Sequence, residues 1–361
     1  MWRRGFRSLR IALILYGSLD TLSGGYLYDR KLVEYLRAQG DSVDIVSLPW
    51  RNYASHLADN LSFRLPRGYD LIIEDELNHP SLLAANAAEH PCPVVALVHH
   101  LRCSEERPQW QNNLYRIVEK KYLRGVDGFI FNSQTTKRVV NSVVESSKPS
   151  IVAYPPTDRF GEPITETEIE TRANEKGALR ILFLGNVIYR KGLHTLLDAL
   201  EKIKRDGISL YKLDIVGSLS IDPAYARAVQ ARVSVLGLQS SVAFHGALDA
   251  QPLREKLTQA HVLCVPSSYQ GFGIVYLEGM GFGLPAIGTT EGAAGEIIRD
   301  GETGFLVPPG SAELLAARLD SLASDRSLLI RLSLAARRHY LEQPSWAETA
   351  SNIRAFLQSL I

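Results

Sequence analysis

Cysteine is scarce in this chain of 361 residues. The three cysteines, Cys92, Cys103 and Cys264, are scattered along the chain, and their number is odd. They therefore form neither a disulfide framework nor a Cys-x-x-Cys metal pair. This usage predicts a protein of the reducing cytosol.

The chain also lacks an excess of charge of one sign, since 40 lysines and arginines balance 39 aspartates and glutamates. Such a balance gives no global field that would draw the protein onto nucleic acid. No apolar run approaches the ~18–20 residues that a membrane-spanning helix needs. The run at residues 11–16 enters a predicted strand directly, so we expect no signal peptide, a cytoplasmic location and no nucleic-acid partner.

The N-terminal segment is the one part of the chain that suggests a membrane. Residues 1–10 contain four arginines beside Trp2, Phe6 and Leu9. A basic, partly aromatic segment of this kind could rest on an anionic lipid surface at the inner face of a membrane. The alternative, a solvated tail before the first strand, is the more usual case for such a segment, and both interpretations stay open.

Three motifs of nucleotide and metal sites are absent. The sequence contains no Asp-x-Asp, which argues against a metal-anchored diphosphate site and leaves cationic side chains and a helix terminus to hold phosphates. It has no Walker loop, and neither half shows Gly-x-Gly-x-x-Gly with an acidic residue about 20 positions later. These absences disfavour a nicotinamide dehydrogenase, and we expect no bound metal.

Strands alternate with helices, and the same unit opens twice. The apolar run at residues 11–16 is followed by a glycine loop, a helical stretch and a second strand at 43–48. The pattern recurs about 170 residues later, with strands at 180–184 and 212–216. Repeated βαβ units indicate parallel sheets. The sequence therefore predicts an α/β fold with two doubly wound, Rossmann-like domains facing across a cleft, and ligands bound at the carboxyl ends of the strands.

The domain boundaries follow from composition. Residues 161–177 are acidic and poor in apolar side chains, which is typical of a surface linker. The prediction is an N-terminal domain at 1–163, a linker at 164–178, a C-terminal domain at 179–338 and a final helical segment at 339–361.

The most informative stretch, residues 266–286, follows an apolar strand. Its turn at Gly271, Phe272 and Gly273 opens a helix, so the first helical amides can face a phosphate. Glu278 lies in that helix, and one carboxylate can accept hydrogen bonds from both hydroxyls of a ribose. A solvated helix residue is the alternative, but the apolar neighbours of Glu278 predict burial, and a buried carboxylate needs a partner.

A second polar cluster lies at residues 185–192, between a predicted strand and a helix. Arg190 and Lys191 stand in this loop, where they could pair with a diphosphate. The alternative is a surface basic pair.

Residues 271–286, followed by Gly-Glu-Thr-Gly-Phe-Leu at 301–306, resemble the signature of family-4 retaining glycosyltransferases, also called glycosyl transferases group 1. The resemblance spans residues 179–336 and, more weakly, the N-terminal half. It implies the two-domain GT-B fold, with a C-terminal helix that crosses back to the N-terminal domain. It also implies transfer of a hexose from a nucleotide diphosphate sugar to an acceptor hydroxyl with retention, without a further cofactor.

The resemblance assigns roles in the C-terminal half. It implies that Lys191 binds the donor diphosphate and that Glu278 binds the ribose hydroxyls. The amides of Gly271, Phe272 and Gly273 would face the phosphate and the sugar.

In the N-terminal half, His99 follows the apolar strand at residues 94–98, where the family often places a histidine near the transferring sugar. A structural histidine is the alternative, and His100 stands beside it. Gly24 and Gly25 match the glycine loop that approaches the donor phosphates.

Two positions depart from the family pattern. Gln270 stands where the family has the first of two glutamates, and Asn186 stands where many members have arginine. We expect Asn186 in the donor site, Arg190 as the replacement cation, and Gln270 among the catalytic residues with His99 and Lys191. A sugar-nucleotide epimerase of the same fold and a catalytically decayed sugar-nucleotide-binding protein remain as alternatives.

Overall fold

A computed structural model describes residues 8–21, 23–105, 107–156, 158–161, 163–207 and 210–361. Of the N-terminal segment expected to contact lipid, residues 1–7 lie outside these ranges. None of the helices within the described ranges combines the length and the apolar character that crossing a bilayer would require.

The chain divides into two compact units. Unit 1 comprises Met1–Pro156 and Pro344–Ile361, and unit 2 comprises Thr157–Gln343. The C-terminal segment therefore belongs with the N-terminal unit, as the predicted fold class requires. The boundaries fall at 156 and 343, whereas the sequence suggested 163 and 338.

Unit 1 contains a six-stranded parallel sheet in the order β2-β1-β3-β4-β5-β6. Its strands are β1 (Arg10–Tyr16), β2 (Ser42–Leu48), β3 (Leu71–Asp75), β4 (Val94–Val98), β5 (Gly128–Phe131) and β6 (Ser150–Val152). The helices that connect them are α1 (Gly24–Ala38), α2 (Tyr53–Ala58), α3 (His79–Leu82), α4 (Gln109–Gly125) and α5 (Gln134–Val143).

Unit 2 contains a second six-stranded parallel sheet, in the order β12-β11-β10-β7-β8-β9. Its strands are β7 (Leu179–Leu184), β8 (Tyr211–Val216), β9 (Val242–Gly246), β10 (Val262–Cys264), β11 (Ala286–Thr289) and β12 (Gly304–Val307). Its helices are α6 (Glu166–Asn174), α7 (Leu193–Asp206), α8 (Pro223–Val235), α9 (Ala250–Gln259), α10 (Ile274–Gly281), α11 (Ala294–Ile297), α12 (Ala312–Ser324) and α13 (Arg326–Leu341). The chain ends with α14 (Trp346–Gln358), which belongs to unit 1.

Each sheet has one point at which the strand order reverses. In unit 1 the chain moves from β1 outward to β2 and then returns to the other side of β1 as β3. In unit 2 the reversal falls between β7 and β10. In open parallel sheets, ligands bind beyond the carboxyl ends of the strands at this reversal. The fold therefore confirms two doubly wound, Rossmann-like domains and marks one candidate position in each.

The segment expected to be a surface linker contributes to the core of unit 2. Helix α6 forms within it, and Ile169 is fully buried. The guanidinium of Arg172 donates hydrogen bonds to the carbonyls of Phe282 and Gly283 at 2.9 and 3.0 Å. Only a few buried residues, among them Ile169 and Arg172, hold this segment against unit 2. Because most of its other side chains are polar or acidic, its composition suggested a solvated linker.

The C-terminal segment also differs from the prediction, because it is two helices. Helix α13 runs through Leu341, and α14 begins at Trp346. Ser345 caps α14 by accepting from the backbone N–H of Glu348, whose carboxylate accepts in return from the backbone N–H of Ser345. This capping box, directly after Pro344, starts a new helix, so the segment is not the single continuous helix that was expected.

A buried ion pair anchors α14 to unit 1. The guanidinium of Arg354 donates from Nε to Asp41 Oδ2 at 2.7 Å and from Nη2 to Asp41 Oδ1 at 2.9 Å. Asp41 Oδ1 also accepts from the backbone N–H of Leu9 at 3.0 Å. Asp41 and Arg354 are 5% and 6% exposed, so this pair is far better shielded than a surface ion pair.

We expect Arg354→Ala to destabilise unit 1 by about 3–5 kcal/mol, because the substitution leaves the Asp41 carboxylate buried without its cation. All four tryptophans belong to unit 1, so tryptophan fluorescence during urea unfolding measures this effect. The control is Lys31→Ala, which removes an exposed ion pair with Glu34 in the same unit and should cost about 1 kcal/mol or less. Equal unfolding midpoints for the two variants would show that Arg354 does not anchor α14.

Candidate functional site

In unit 2, loops from three neighbouring strands meet at the carboxyl edge of the sheet. The loop after β10 joins the loop after β7 where the backbone N–H of Ser268 donates to the carbonyl of Arg190 at 2.9 Å. It joins the loop after β11 where the backbone N–H of Ala293 donates to the carbonyl of Gln270 at 2.8 Å. Lys191 and Gln270, which are 79 positions apart in the sequence, therefore share one site at the reversal between β7 and β10.

Two glycines make this convergence possible. Gly192 has φ of 71°, and a Cβ there would lie 2.0 Å from the carbonyl oxygen of Pro266. Gly292 has φ of 74°, and a Cβ there would lie 2.3 Å from the carbonyl oxygen of Gln270. Both positions combine a left-handed backbone with a close approach of another chain segment, so any side chain would push the loops apart.

Lys191 and Gln270 face each other in this site. The ammonium of Lys191 donates to Gln270 Oε1 at 3.2 Å, and Gln270 Nε2 donates to Ser267 Oγ at 2.9 Å. Gln270 is 4% exposed, so its amide is held with the oxygen toward the lysine and the nitrogen toward the serine. The partner that the structure gives this ammonium is therefore a neutral amide.

The surroundings of Lys191 lower its pKa. Desolvation, with a smaller contribution from the nearby Arg190 cation, lowers the pKa of Lys191 from 10.5 to about 7. A bound anion beside the ammonium would oppose both causes. The site is thus suited to a ligand that brings negative charge.

The other two predicted residues of this loop have structural contacts. Arg190 Nη1 donates to the carbonyl of Tyr269 at 2.7 Å, which ties the cation to the glycine-rich loop. Asn186 lies just beyond β7, and its carbonyl accepts from the backbone N–H of Ile188 at 2.9 Å. Both lie on the same loop as Lys191.

The glycine-rich turn and its helix have the predicted form. Gly271 and Phe272 precede Gly273, whose φ of 97° starts α10 at Ile274. Phe272 is 5% exposed and packs as a core residue. The turn places the N-terminus of α10 directly after the loop that carries Gln270.

Glu278 is buried, and its partner is Arg159. Glu278 is 3% exposed, and Arg159 Nη1 donates to its Oε1 at 3.0 Å. Burial raises the pKa of Glu278, while the Arg159 cation opposes this shift. Arg159 also lies over the ring of Phe160, with 4.6 Å between the guanidinium carbon and the ring centroid. The sequence predicted a partner for Glu278 but gave no sign that an arginine 119 positions earlier supplies it.

In unit 1 the structure brings together His99 and the glycine loop. Gly24 is the first residue of α1, which Ser23 caps. A Cβ on Gly25 would lie 3.3 Å from His99 Cδ2, so this glycine touches the imidazole ring. The neighbouring His100 instead pairs with Glu105, with its Nε2 2.8 Å from Glu105 Oε1.

Acidic groups surround His99, and no pattern in the sequence indicated them. His99 Nε2 lies 3.1 Å from Asp29 Oδ1, and the backbone N–H of His99 donates to Glu76 Oε2 at 2.8 Å. Burial on its own lowers the pKa of His99, but Asp29, with Asp75 and Glu76, raises it to about 9. Burial and the Asp29 charge raise the pKa of Asp75 to about 8. The surroundings therefore favour the protonated form of Asp75 and the charged form of His99.

The same group is the candidate for a metal centre within the described part of the chain. Asp29, Asp75 and His99 offer ligand atoms that all lie within 4.8 Å of one another. The imidazolium is a competing arrangement, because a metal ligand must give up its proton. The sequence analysis expected no metal here, and that expectation stays a prediction.

Comparisons with known proteins find a family model that matches part of unit 2. Residues 165–339 match the family model described as glycosyl transferases group 1. The GDP-mannose-dependent alpha-(1-6)-phosphatidylinositol monomannoside mannosyltransferase of Mycobacterium tuberculosis is 27% identical over 256 residues, which are 67% of this chain and 64% of that protein. The D-inositol 3-phosphate glycosyltransferase of Rhodococcus opacus is 33% identical over 176 residues, which are 48% of this chain and 39% of that protein. The chain thus spans less than two thirds of these relatives' lengths.

Solved structures match the fold over nearly the whole chain. The sucrose-phosphate synthase of Thermosynechococcus elongatus superimposes with a TM-score of 0.82 at 22% identity, over 98% of this chain and 99% of that one. The Anabaena protein HepE, in complex with UDP and glucose, gives a TM-score of 0.74 at 18% identity, over 98% and 100% of the two chains. At these identities the likeness establishes the fold alone.

We expect Lys191→Met to stabilise unit 2 at pH 6 by about 1–3 kcal/mol, the scale of a buried group without a full partner. The lysine binds its proton less tightly in the folded state, so the wild type gains stability as the pH rises above about 7 and the difference between the proteins shrinks by pH 9. Scanning calorimetry at both pH values measures it, with the exposed Lys212→Met as control. A stability difference that is the same at pH 6 and pH 9 would contradict the depressed pKa.

Proposed function

We propose, since residues 165–339 match the family model described as glycosyl transferases group 1, that this protein is a glycosyltransferase that takes a hexose from a nucleotide diphosphate sugar. The acceptor is a hydroxyl of a glycan, a glycolipid or a small molecule. The anomeric configuration is retained, and no metal takes part. Unit 2 binds the donor.

The observation that carries the proposal is the charge pattern at the carboxyl edge of unit 2. A desolvated ammonium, Lys191, faces a neutral amide, and a buried carboxylate, Glu278, lies in the helix that the glycine turn opens. A nucleoside diphosphate offers the complementary groups, since its phosphates are anionic and its ribose hydroxyls donate hydrogen bonds. The diphosphate would supply the anion that Lys191 lacks.

Each of these residues then has a physical task. Lys191 acts most strongly in the transition state, because negative charge grows on the departing diphosphate. Arg190 adds a second cation on the same loop, and the amides of residues 271–273 offer donors for phosphate and sugar. Arg159 holds the Glu278 carboxylate in place and offsets its charge while Glu278 Oε2 accepts from the ribose.

The transfer itself needs no covalent nucleophile in this proposal. The acceptor oxygen attacks the anomeric carbon on the face that the diphosphate leaves, and the departing phosphate oxygen takes the acceptor proton. The protein contributes position and charge stabilisation. His99 keeps the role near the sugar that the family resemblance implied, and its surroundings favour the charged form.

The donor base and the acceptor are separate questions. The name of the mycobacterial relative specifies GDP-mannose and a phosphatidylinositol acceptor, whereas the HepE structure contains UDP and glucose. We therefore propose a nucleotide diphosphate hexose as the class and leave the base to a thermal-shift screen. Donor at about 100 times its dissociation constant should add about 2.7 kcal/mol of stability.

Two alternatives predict different outcomes. A sugar-nucleotide epimerase would convert the donor without any acceptor. A decayed binding protein would bind the donor and transfer its sugar to no acceptor. Transfer by the proposed enzyme should persist in EDTA, whereas a loss that magnesium or manganese restores would overturn the metal-free part.

We expect Glu278→Gln to weaken nucleoside diphosphate binding by roughly 10- to 100-fold, because charged hydrogen bonds to the ribose contribute about 1.5–3 kcal/mol. Calorimetric titration measures the affinity. Glu302→Gln is the control, since Glu302 is an exposed residue of the same unit that pairs with Arg299. Wild-type affinity in Glu278→Gln would remove this carboxylate from the donor site.

We expect Gln270→Glu to lower the transfer rate or to change donor preference by about tenfold, the scale that separates neutral from charged hydrogen bonds. A carboxylate at this position would pair with Lys191 and raise its pKa, while its own negative charge would reduce the net positive charge that the site offers the diphosphate. In the wild type, nucleoside diphosphate affinity should fall as the pH rises above about 7, and in the variant this fall should move to higher pH. Steady-state kinetics and titrations over pH test both effects.

The matched control for this variant is Gln239→Glu, at an exposed position of unit 2. A general increase in rate with every donor would contradict the proposal and would identify Gln270 as a decayed catalytic position.

A further inference from the structure

Helix α4 of unit 1 has an outer face with an unusual composition. Its inner face buries Glu119, Tyr122 and Leu123 against the unit. Its outer face carries Trp110, Leu114 and Ile117 over the first half of the helix and basic residues over the second.

The three apolar side chains of this face are unusually exposed. Trp110 is 63% exposed, Leu114 56% and Ile117 66%. Their spacing of four and three residues puts them on one side of the helix, over about 10 Å of its length. Single exposed apolar residues are ordinary on a protein surface, but a continuous row indicates an interaction site.

The same row continues with positive charge. Lys121 and Arg124 follow on the outer side and are exposed, and Arg116 and Lys120 flank them. The single acidic residue of the helix, Glu119, is buried and accepts from the backbone N–H groups of Arg102 and Cys103. The exposed side of α4 therefore carries positive charge and no negative charge.

We propose that this surface, the α4 face (Trp110, Leu114, Ile117, Lys121 and Arg124), docks the protein on an anionic lipid surface. Tryptophan and aliphatic side chains enter the boundary between headgroups and acyl chains, while lysine and arginine stay at the phosphates. Each basic residue near an anionic bilayer adds attraction that salt weakens. This surface is distinct from the arginine-rich segment at residues 1–7, and the proposal does not depend on the donor or on catalysis.

Charge separates this occupant from a second copy of the chain. An anionic bilayer supplies negative groups along the whole row. A second α4 face would bring the same basic residues and no acid to meet them. Complementarity therefore favours lipid.

The test is co-sedimentation of the full chain with vesicles of phosphatidylcholine, with or without phosphatidylglycerol. We expect the wild type to bind the vesicles that contain phosphatidylglycerol and to leave them as salt rises. One variant combines Trp110→Ser, Leu114→Ser and Ile117→Ser. The other combines Lys121→Gln and Arg124→Gln, and its binding constant should fall roughly 25-fold, since two charges contribute about fivefold each.

Two control proteins match these variants. A triple variant of Leu210→Ser, Ile221→Ser and Val235→Ser changes isolated apolar residues of unit 2 that are 75%, 62% and 84% exposed. A second control replaces Arg3, Arg4 and Arg7 by glutamine. Both should bind vesicles like the wild type.

Circular dichroism tests whether each variant is folded. If the serine variant is unfolded, the charge variant still tests the proposal. Wild-type binding by both α4 variants would overturn the proposal, as would a loss confined to the N-terminal arginine variant. A wild type that sediments as a dimer, ignores vesicles and becomes monomeric on serine substitution would assign the α4 face to self-association and also overturn it.

Discussion

The hydrogen bond from Lys191 to Gln270 is the central contact of the candidate site in unit 2. A lysine ammonium in a desolvated position is unstable unless an anion compensates it. The amide oxygen of Gln270 accepts a hydrogen bond from the Lys191 ammonium at 3.2 Å but carries no negative charge. The pKa of Lys191 is therefore lowered to about 7, and a bound anion would raise it again. Under the proposed function this anion would be the donor diphosphate, and the same cation would then stabilise the charge that appears on the leaving group.

The strand order explains why these two residues meet at all. Lys191 follows β7 and Gln270 follows β10, and these strands are adjacent although the chain visits two other strands between them. The reversal of strand order leaves room at their carboxyl ends for loops to converge, and the glycines at 192 and 292 let those loops touch. In unit 1, the equivalent reversal between β1 and β3 brings the loop after β1 and Asp75 to one edge. Topology thus creates a site of the same kind in each unit.

The sequence predicted the elements with local signals and missed contacts between distant residues. The apolar runs predicted the strands and placed Lys191 in a loop after a strand. The glycine turn predicted the start of α10 and placed Glu278 in that helix. No local pattern could show that Arg159 pairs with Glu278 or that Asp29 pairs with His99, because these contacts join different elements. The helix at Glu166–Asn174 was missed for a related reason, since it is anchored by few side chains in an acidic segment.

The two units differ in the charge of their buried polar side chains. Unit 2 leaves a cation short of negative charge, which favours an anionic ligand. Unit 1 buries the carboxyl groups of Glu74, Asp75 and Glu76 in sequence, so burial raises the pKa of all three. A carboxylic acid that keeps its proton at pH 7 can donate a hydrogen bond as well as accept one. Beside His99, the Asp75 carboxyl group therefore offers a ligand both a hydrogen-bond donor and an acceptor, whereas the Lys191 site of unit 2 favours an anion.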